Sequence, residues 1–289
     1  CRRRKLRLEV PPRQGFSSDE MVKIVRDADV LIAGDDYLDT SFFTQCTRLK
    51  LVIRWGVGID SVDITAAKNR GIKVVNTPGI LGSVVAEYTL GLMLLLARTQ
   101  HEVNDAVCAG MWLKPRGTTL RGKTLGVVGY GNVGQAIGVL GHAFGMRVRW
   151  FDPGVTPAKP SEGKCASLAQ VAEEADYLVF ACPLNESTRG SANRELMRLM
   201  KPSARLVNVA RGEIIDEGAL AEALEEGTIA GAALDVFETE PLPSEHVLRG
   251  LPNVIFGSHN ASNTEEGVAA VNQMAIQLAV EALALEATQ

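Results

Sequence analysis

The chain has 289 residues, 46% of them apolar and 22% charged, with a net charge of −4. That length suits two modest domains or one large one, and the charge leaves no basic footprint for nucleic acid. The five cysteines, Cys1, Cys46, Cys108, Cys165 and Cys182, are scattered and include no C-x-x-C pair. This excludes a disulfide framework and a zinc centre, predicts no metal, and suits a reducing cytoplasm.

In chain order, the basic start Cys1–Lys5 reads as a solvated end, and no signal peptide follows it. Candidate strands come at Leu6–Val10, Val30–Ala33, Leu49–Arg54 and Lys73–Asn76, with helices at Ser18–Arg26, Asp63–Asn69 and Val84–Arg98. The most apolar run, Val84–Ala97, is one helix long and includes Glu87. It is too short to span a bilayer and reads as a buried helix. Loops rich in Gly, Pro and Lys fall at Lys114–Lys123 and Asp152–Lys164.

From Thr124 the pattern sharpens. Apolar runs at Leu125–Val128, Val148–Phe151, Tyr177–Ala181, Arg205–Val209, Gly231–Val236 and Val254–Phe256 alternate with helical stretches. One of these, Asp216–Glu226, has Asp216 as N-cap and Gly227 as stop. Thr264–Leu285 reads as an Ala-rich final helix. Strands alternating with helices predict βαβ units and a parallel sheet covered on both faces.

Gly129-Tyr130-Gly131-Asn132-Val133-Gly134 follows the first of these strands and opens a helix. In that context the glycines carry a phosphate-binding signature. Gly129 makes the tight turn, Gly131 admits a pyrophosphate, and Gly134 lets helix and strand pack closely. The helix N-terminus, with the N–H groups around Asn132 and Val133, stabilises the phosphate charge. The next strand ends in Asp152, 18 residues past Gly134, where a carboxylate accepts ribose hydroxyls and repels a 2′-phosphate. The predicted cofactor is therefore NAD.

Ligands of open parallel sheets bind beyond the carboxyl ends of the strands. Three later strands lead there into Arg211, into Glu238 and Glu240, and into His259. An imidazolium can protonate a nascent alkoxide, a carboxylate can hold that ring, and a guanidinium can bind a substrate carboxylate and polarise its carbonyl. Together they suit reduction of a 2-keto acid.

The motifs "RWGVGIDSVD", "GIKVVNTPG", "VAEYTLGLMLLLAR", "GKTLGVVGYGNVGQAIG", "NVARGEIIDEGAL", "ALDVFETEP" and "SHNASNTEE" occur in this order. In them the chain resembles the D-isomer-specific 2-hydroxyacid dehydrogenases. The resemblance implies two Rossmann-like or flavodoxin-like α/β domains with parallel sheets. Residues 99–260 would bind NAD, residues 1–98 with 261–289 would form a discontinuous substrate domain, and the active site would lie in the interdomain cleft. It implies Arg211 as the substrate-binding arginine, His259 as the catalytic acid/base and Glu240 as its partner, with Glu238 a bystander. Asp235 would meet the nicotinamide carboxamide, and Cys182, Pro183 and Ala210 would line the cofactor. The loop N–H groups of Val57 and Gly58 would receive the substrate carboxylate. Arg54 would face a phosphate or second carboxylate, or be structural. The partners implied are a small 2-keto or 2-hydroxy acid and a second copy in a homodimer, with no nucleic acid and no membrane. The chain departs from the family at Ser258, where a proline usually fixes the backbone before the histidine.

The loop Ala33–Asp39, "AGDDYLD", is acidic and lacks the extra arginine of phosphoglycerate-using relatives, which disfavours a phosphorylated substrate. Glyoxylate, hydroxypyruvate and pyruvate stay open. A different class of function, a dinucleotide-sensing co-repressor of the same fold, retains the same triad, and turnover separates the two.

Overall fold

The computed structural model describes residues 7–11, 16–155, 163, 165 and 167–286. Within them the chain forms two compact units, Cys1–Leu81 with Thr264–Gln289, and Gly82–Asn263.

In the first unit, apolar four-residue runs bounded by polar turns form a parallel sheet in the order β1 (Val30–Ala33), β2 (Leu51–Arg54), β3 (Lys73–Asn76). Alternation along β2 divides its burial between two faces. Val52 joins the core with Met21 of α1 (Ser18–Val25), Phe42 of α2 (Thr40–Gln45) and Ala67 of α3 (Ile64–Asn69). Leu51 and Ile53 pack on Ala275. Each of these helices starts on a side chain that accepts a first-turn N–H: Ser17 with a reciprocal Glu20, Asp39, and Asp63.

The expected strand at Leu6–Val10 does not form. Residues 7–10 are irregular, with Leu8 58% and Val10 78% exposed, so the short apolar pattern has no face to bury. Leu6 itself, the basic start and most of the Asp152–Lys164 loop lie outside the described residues.

The second unit is a six-stranded parallel sheet. It comprises β4 (Thr124–Val128), β5 (Arg147–Phe151), β6 (Tyr177–Phe180), β7 (Arg205–Asn208), β8 (Gly231–Leu234) and β9 (Val254–Phe256). The order is β5-β4-β6-β7-β8-β9, so the chain reverses direction across the sheet at β4. Both faces are buried, with period two. Leu125 and Val127 of β4 pack with Leu90 and Met93 of α4 (Gly82–Arg98) and Ile137 of α6 (Asn132–Ala143). On the other face Val128, Phe180 and Leu206 pack with Val171 of α7 (Leu168–Glu174), Met197 of α8 (Arg194–Leu199) and Leu220 of α9 (Glu217–Glu225).

The units divide at 81/82 and 263/264, not at 98/99 and 260/261. The physical reason is that α4 carries its apolar residues into the core of the second sheet. The helix α5 (Gln100–Cys108) follows it, and the last helix, α10 (Glu265–Glu286), belongs to the first unit. By length and composition alone, Glu265–Ala284 of α10 also reaches what a membrane span needs, while its Ala275 and neighbouring Leu278 pack against β2.

Candidate active site

The β4–α6 turn has the shape its glycines demand. Gly129 has a φ of +87°, and a Cβ there would come within 2.5 Å of the Cys182 backbone. A Cβ on Gly134 would strike the Gly129 carbonyl, so helix and turn touch through bare backbone. A Cβ on Gly131 meets nothing within 4 Å, so open space lies in front of the helix at that position. α7, α8 and α9 are capped by Ser167, Asn193 and Asp216, but α6 starts on Gly131 with no side-chain cap. An uncapped N-terminus facing open space fits a pyrophosphate.

Asp152, just past β5, accepts the Tyr130 N–H at 2.8 Å and the Gly154 N–H at 2.8 Å. Its carboxylate thus reaches the glycine turn and retains acceptor capacity for ribose hydroxyls. Cys182 is 7% exposed beside Gly129, and burial pushes its thiol up to about 11. At neutral pH it is a packing residue and no nucleophile. Pro183 after it is exposed.

Across the sheet, β7, β8 and β9 are neighbours, and the segments that follow them bring Arg211, Glu240 and His259 to one end. The fully buried Asn208 fixes the first turn: its amide donates to the Arg211 carbonyl at 2.8 Å and its oxygen accepts the Ala210 N–H at 3.0 Å. Arg211 Nη1 donates to the Ala210 carbonyl at 2.7 Å. Gly212 lies so close to Phe237 and Glu238 that a Cβ would overlap their backbone atoms. This glycine contact sets the Arg211 turn directly against the loop that carries Glu240.

In that loop Glu240 Oε1 accepts the Phe237 N–H at 3.0 Å, while Oε2 stands 2.7 Å from His259 Nδ1. Both side chains are about one-third exposed, at 35% and 32%. The carboxylate holds the ring through Nδ1.

His259 has a φ of +56°, a left-handed conformation that a histidine needs help to hold. Asp235 supplies that help. Its carbonyl accepts the His259 N–H at 2.6 Å, and its carboxylate accepts the Asn260 and Ala261 N–H groups, each at 2.9 Å. The Tyr88 hydroxyl also donates to Asp235, and burial together with this carboxylate pushes that phenol well up. Asp235 is 1% exposed; its visible bonds brace the turn, whereas the family resemblance points it at the nicotinamide.

In the first unit, Arg54 is 4% exposed, with its guanidinium on Asp35 and on the Trp55 carbonyl. Of the two alternatives for Arg54, this geometry favours the structural one, because Asp35 already neutralises the charge. Asn76 holds the Val57 carbonyl at 2.7 Å, and Thr77 accepts the Gly56 N–H at 2.9 Å. Among the described residues, the N–H groups of Val57 and Gly58 have no hydrogen-bond partner. No group of His, Cys, Asp and Glu among the described residues is arranged to hold a metal.

A glycine cradle with Asp152 on its turn, and an arginine on the same sheet as a Glu–His pair, form an arrangement that suits a dinucleotide-dependent oxidoreductase. Residues 90–261 match the family model of the D-isomer specific 2-hydroxyacid dehydrogenase NAD binding domain. The chain is 37% identical to a glyoxylate reductase of Thermococcus kodakarensis, over 90% of this chain and 82% of that one. It is 40% identical to a D-3-phosphoglycerate dehydrogenase of Methanocaldococcus jannaschii over 89% of its own length, and spans 50% of that relative. Among solved structures it resembles an NADPH-dependent glyoxylate/hydroxypyruvate reductase from Sinorhizobium meliloti. The TM-score is 0.83 and the identity 32%, over 90% of this chain and 82% of that one. The chain belongs to the D-isomer specific 2-hydroxyacid dehydrogenase family, whose members are nicotinamide-dependent oxidoreductases.

Proposed function

We propose that this protein interconverts a small, unphosphorylated D-2-hydroxy acid and its 2-keto acid with NAD. The observation that carries this reading is the 2.7 Å contact between His259 Nδ1 and Glu240 Oε2, beside Arg211 on the same sheet. When bound, the cofactor would supply the hydride as NADH and take it up as NAD+. In the reducing direction His259 Nε2 protonates the nascent alkoxide, with Glu240 stabilising the imidazolium. Arg211 binds the substrate carboxylate and polarises the carbonyl. The family resemblance assigns binding of a carboxylate to the N–H groups of Val57 and Gly58 in the first unit. The backbone N–H groups at Asn132, Val133 and Gly134 would hold the pyrophosphate, and Cys182, Pro183 and Ala210 would line the cofactor.

Asp152 supports NAD over NADP, because a second negative charge at the ribose would meet its carboxylate. Asp35 on Arg54 supports an unphosphorylated acid, with glyoxylate, hydroxypyruvate and pyruvate as first candidates. Met111, Trp112 and Leu113 are 53%, 78% and 47% exposed, an apolar patch that supports a homodimer. The unpaired cysteines support a cytoplasmic location.

The test is consumption of NADH, followed by its absorbance, with each of those acids and with 3-phosphohydroxypyruvate. His259→Ala should abolish turnover and keep NADH binding, and Arg211→Ala should raise KM and lower kcat. Retention of the full rate by His259→Ala refutes the assignment.

A further inference from the structure

A second histidine–carboxylate pair stands behind the first. Glu217 opens α9, where a glutamate normally points to solvent beside the helix N-terminus. Here its side chain is 9% exposed and turned inward. Glu217 Oε1 accepts the Glu238 N–H at 2.9 Å, and Oε2 lies 3.0 Å from His246 Nε2. The His246 ring is 19% exposed, and its Nδ1 is buried with no hydrogen-bond partner among the described residues. Nothing in the proposed chemistry uses either residue.

Their place in the loop gives them a use. The Phe237 N–H goes to Glu240, and the next N–H, of Glu238, goes to Glu217. The far end of the loop is tied by Arg249, which donates to the Leu242 and Pro243 carbonyls at 2.8 Å each. Glu217 thus ties the near side of the loop at Glu238, two residues ahead of Glu240. His246 in turn fixes Glu217, since a buried carboxylate without a partner would turn back to water.

We propose that Glu217 and His246 form a positioning pair that holds the Glu238 backbone, so that Glu240 meets His259 at hydrogen-bonding distance. The proposal rests on the reading of Glu240 and His259 as the proton-transferring pair. When the tie is removed, the loop relaxes, Glu240 loosens from His259, and the ring loses the charge that favours its protonated form. Reduction of the keto acid then fails at lower pH than in the native protein.

The test uses the full chain with NADH and the keto acid it reduces fastest, measuring kcat, KM and NADH affinity across pH. Glu217→Ala should lower kcat about 10- to 100-fold, the scale of a misplacement of an ångström or less in a catalytic group. NADH affinity should stay unchanged, and the basic limb of the kcat profile should move to lower pH. Glu217→Gln keeps an acceptor for the Glu238 N–H and should recover most of the rate. Where circular dichroism shows that Glu217→Ala does not fold, the more exposed His246→Ala decides in the same terms. A folded variant with kcat and its basic limb unmoved overturns the positioning role. His259→Ala, run alongside, separates the two ideas. If it abolishes turnover while the Glu217 and His246 variants change nothing, only the positioning pair falls. If it retains turnover, the reading of the dyad falls and takes the pair with it.

Discussion

Replacing Glu240 with glutamine changes one charge and almost no volume, so it isolates what the carboxylate does for His259. Glutamine can still accept the Phe237 N–H and lie beside Nδ1, which leaves the ring close to its native place. What is lost is a charge-assisted contact at 2.7 Å. A hydrogen bond to a charged group contributes about 1.5–3 kcal/mol. With both side chains about one-third exposed, solvent screening lowers this to about 1–2 kcal/mol. That is a factor of about 5–30 in the balance between protonated and neutral ring. The sign is fixed by the direction of the reaction. Reduction needs a protonated His259, so Glu240→Gln should match the native rate at acid pH, where both rings are protonated. It should fall behind by about 5- to 30-fold as pH rises past the variant's lowered limb. In the oxidising direction, which needs the neutral ring, the acid limb should shift the same way and the variant should gain activity at low pH. The assay is kcat against pH in both directions by NADH absorbance. Superimposable profiles, or a shift to higher pH, would refute the electrostatic role of Glu240.

Other perturbations test the scaffold around this pair. Gly212→Ala forces a methyl into the Phe237–Glu238 backbone. The expected cost is about 1–3 kcal/mol of overpacking and a marked loss of kcat, read from thermal melts and turnover; a native Tm and rate would show that the two loops are not held by this contact. Asp152→Ala removes the acceptor of the Tyr130 and Gly154 N–H groups and should raise KM for NADH while lowering it for NADPH, measured with both cofactors. Because burial pushes the Cys182 thiol up to about 11, iodoacetamide at neutral pH should label the exposed Cys108 and spare Cys182, as mass spectrometry of the peptides would report. Equal labelling would place Cys182 in a more open environment than its packing against Gly129 implies.

Much of this protein was legible as one-dimensional pattern. The β9 run Val254–Phe256 and the β1 run Val30–Ala33 were readable to the residue, because short apolar segments between turn residues have few other places to go. The glycine cradle was legible because each glycine answers a local demand, a positive φ at Gly129 and close approach at Gly134. Arg211 and His259 could be singled out because each follows a strand, and strand ends in a parallel sheet share one rim; the choice of Glu240 over Glu238 comes from the family resemblance.

Only the tertiary structure decided the rest. A strand pattern at Leu6–Val10 fails where there is no face to bury it. α4 has the composition of any buried helix, and only its packing on β4 assigns it to the second unit. The visible role of Asp235 as brace of a left-handed histidine, the grip of Asn208 on the Arg211 turn, and the pairing of Glu217 with His246 across 29 positions of sequence have no periodic signature. Local torsions and burial repeat along the chain and can be read from it. Contacts between distant polar groups depend on where the folded sheet delivers each loop, and no spacing in the sequence encodes that.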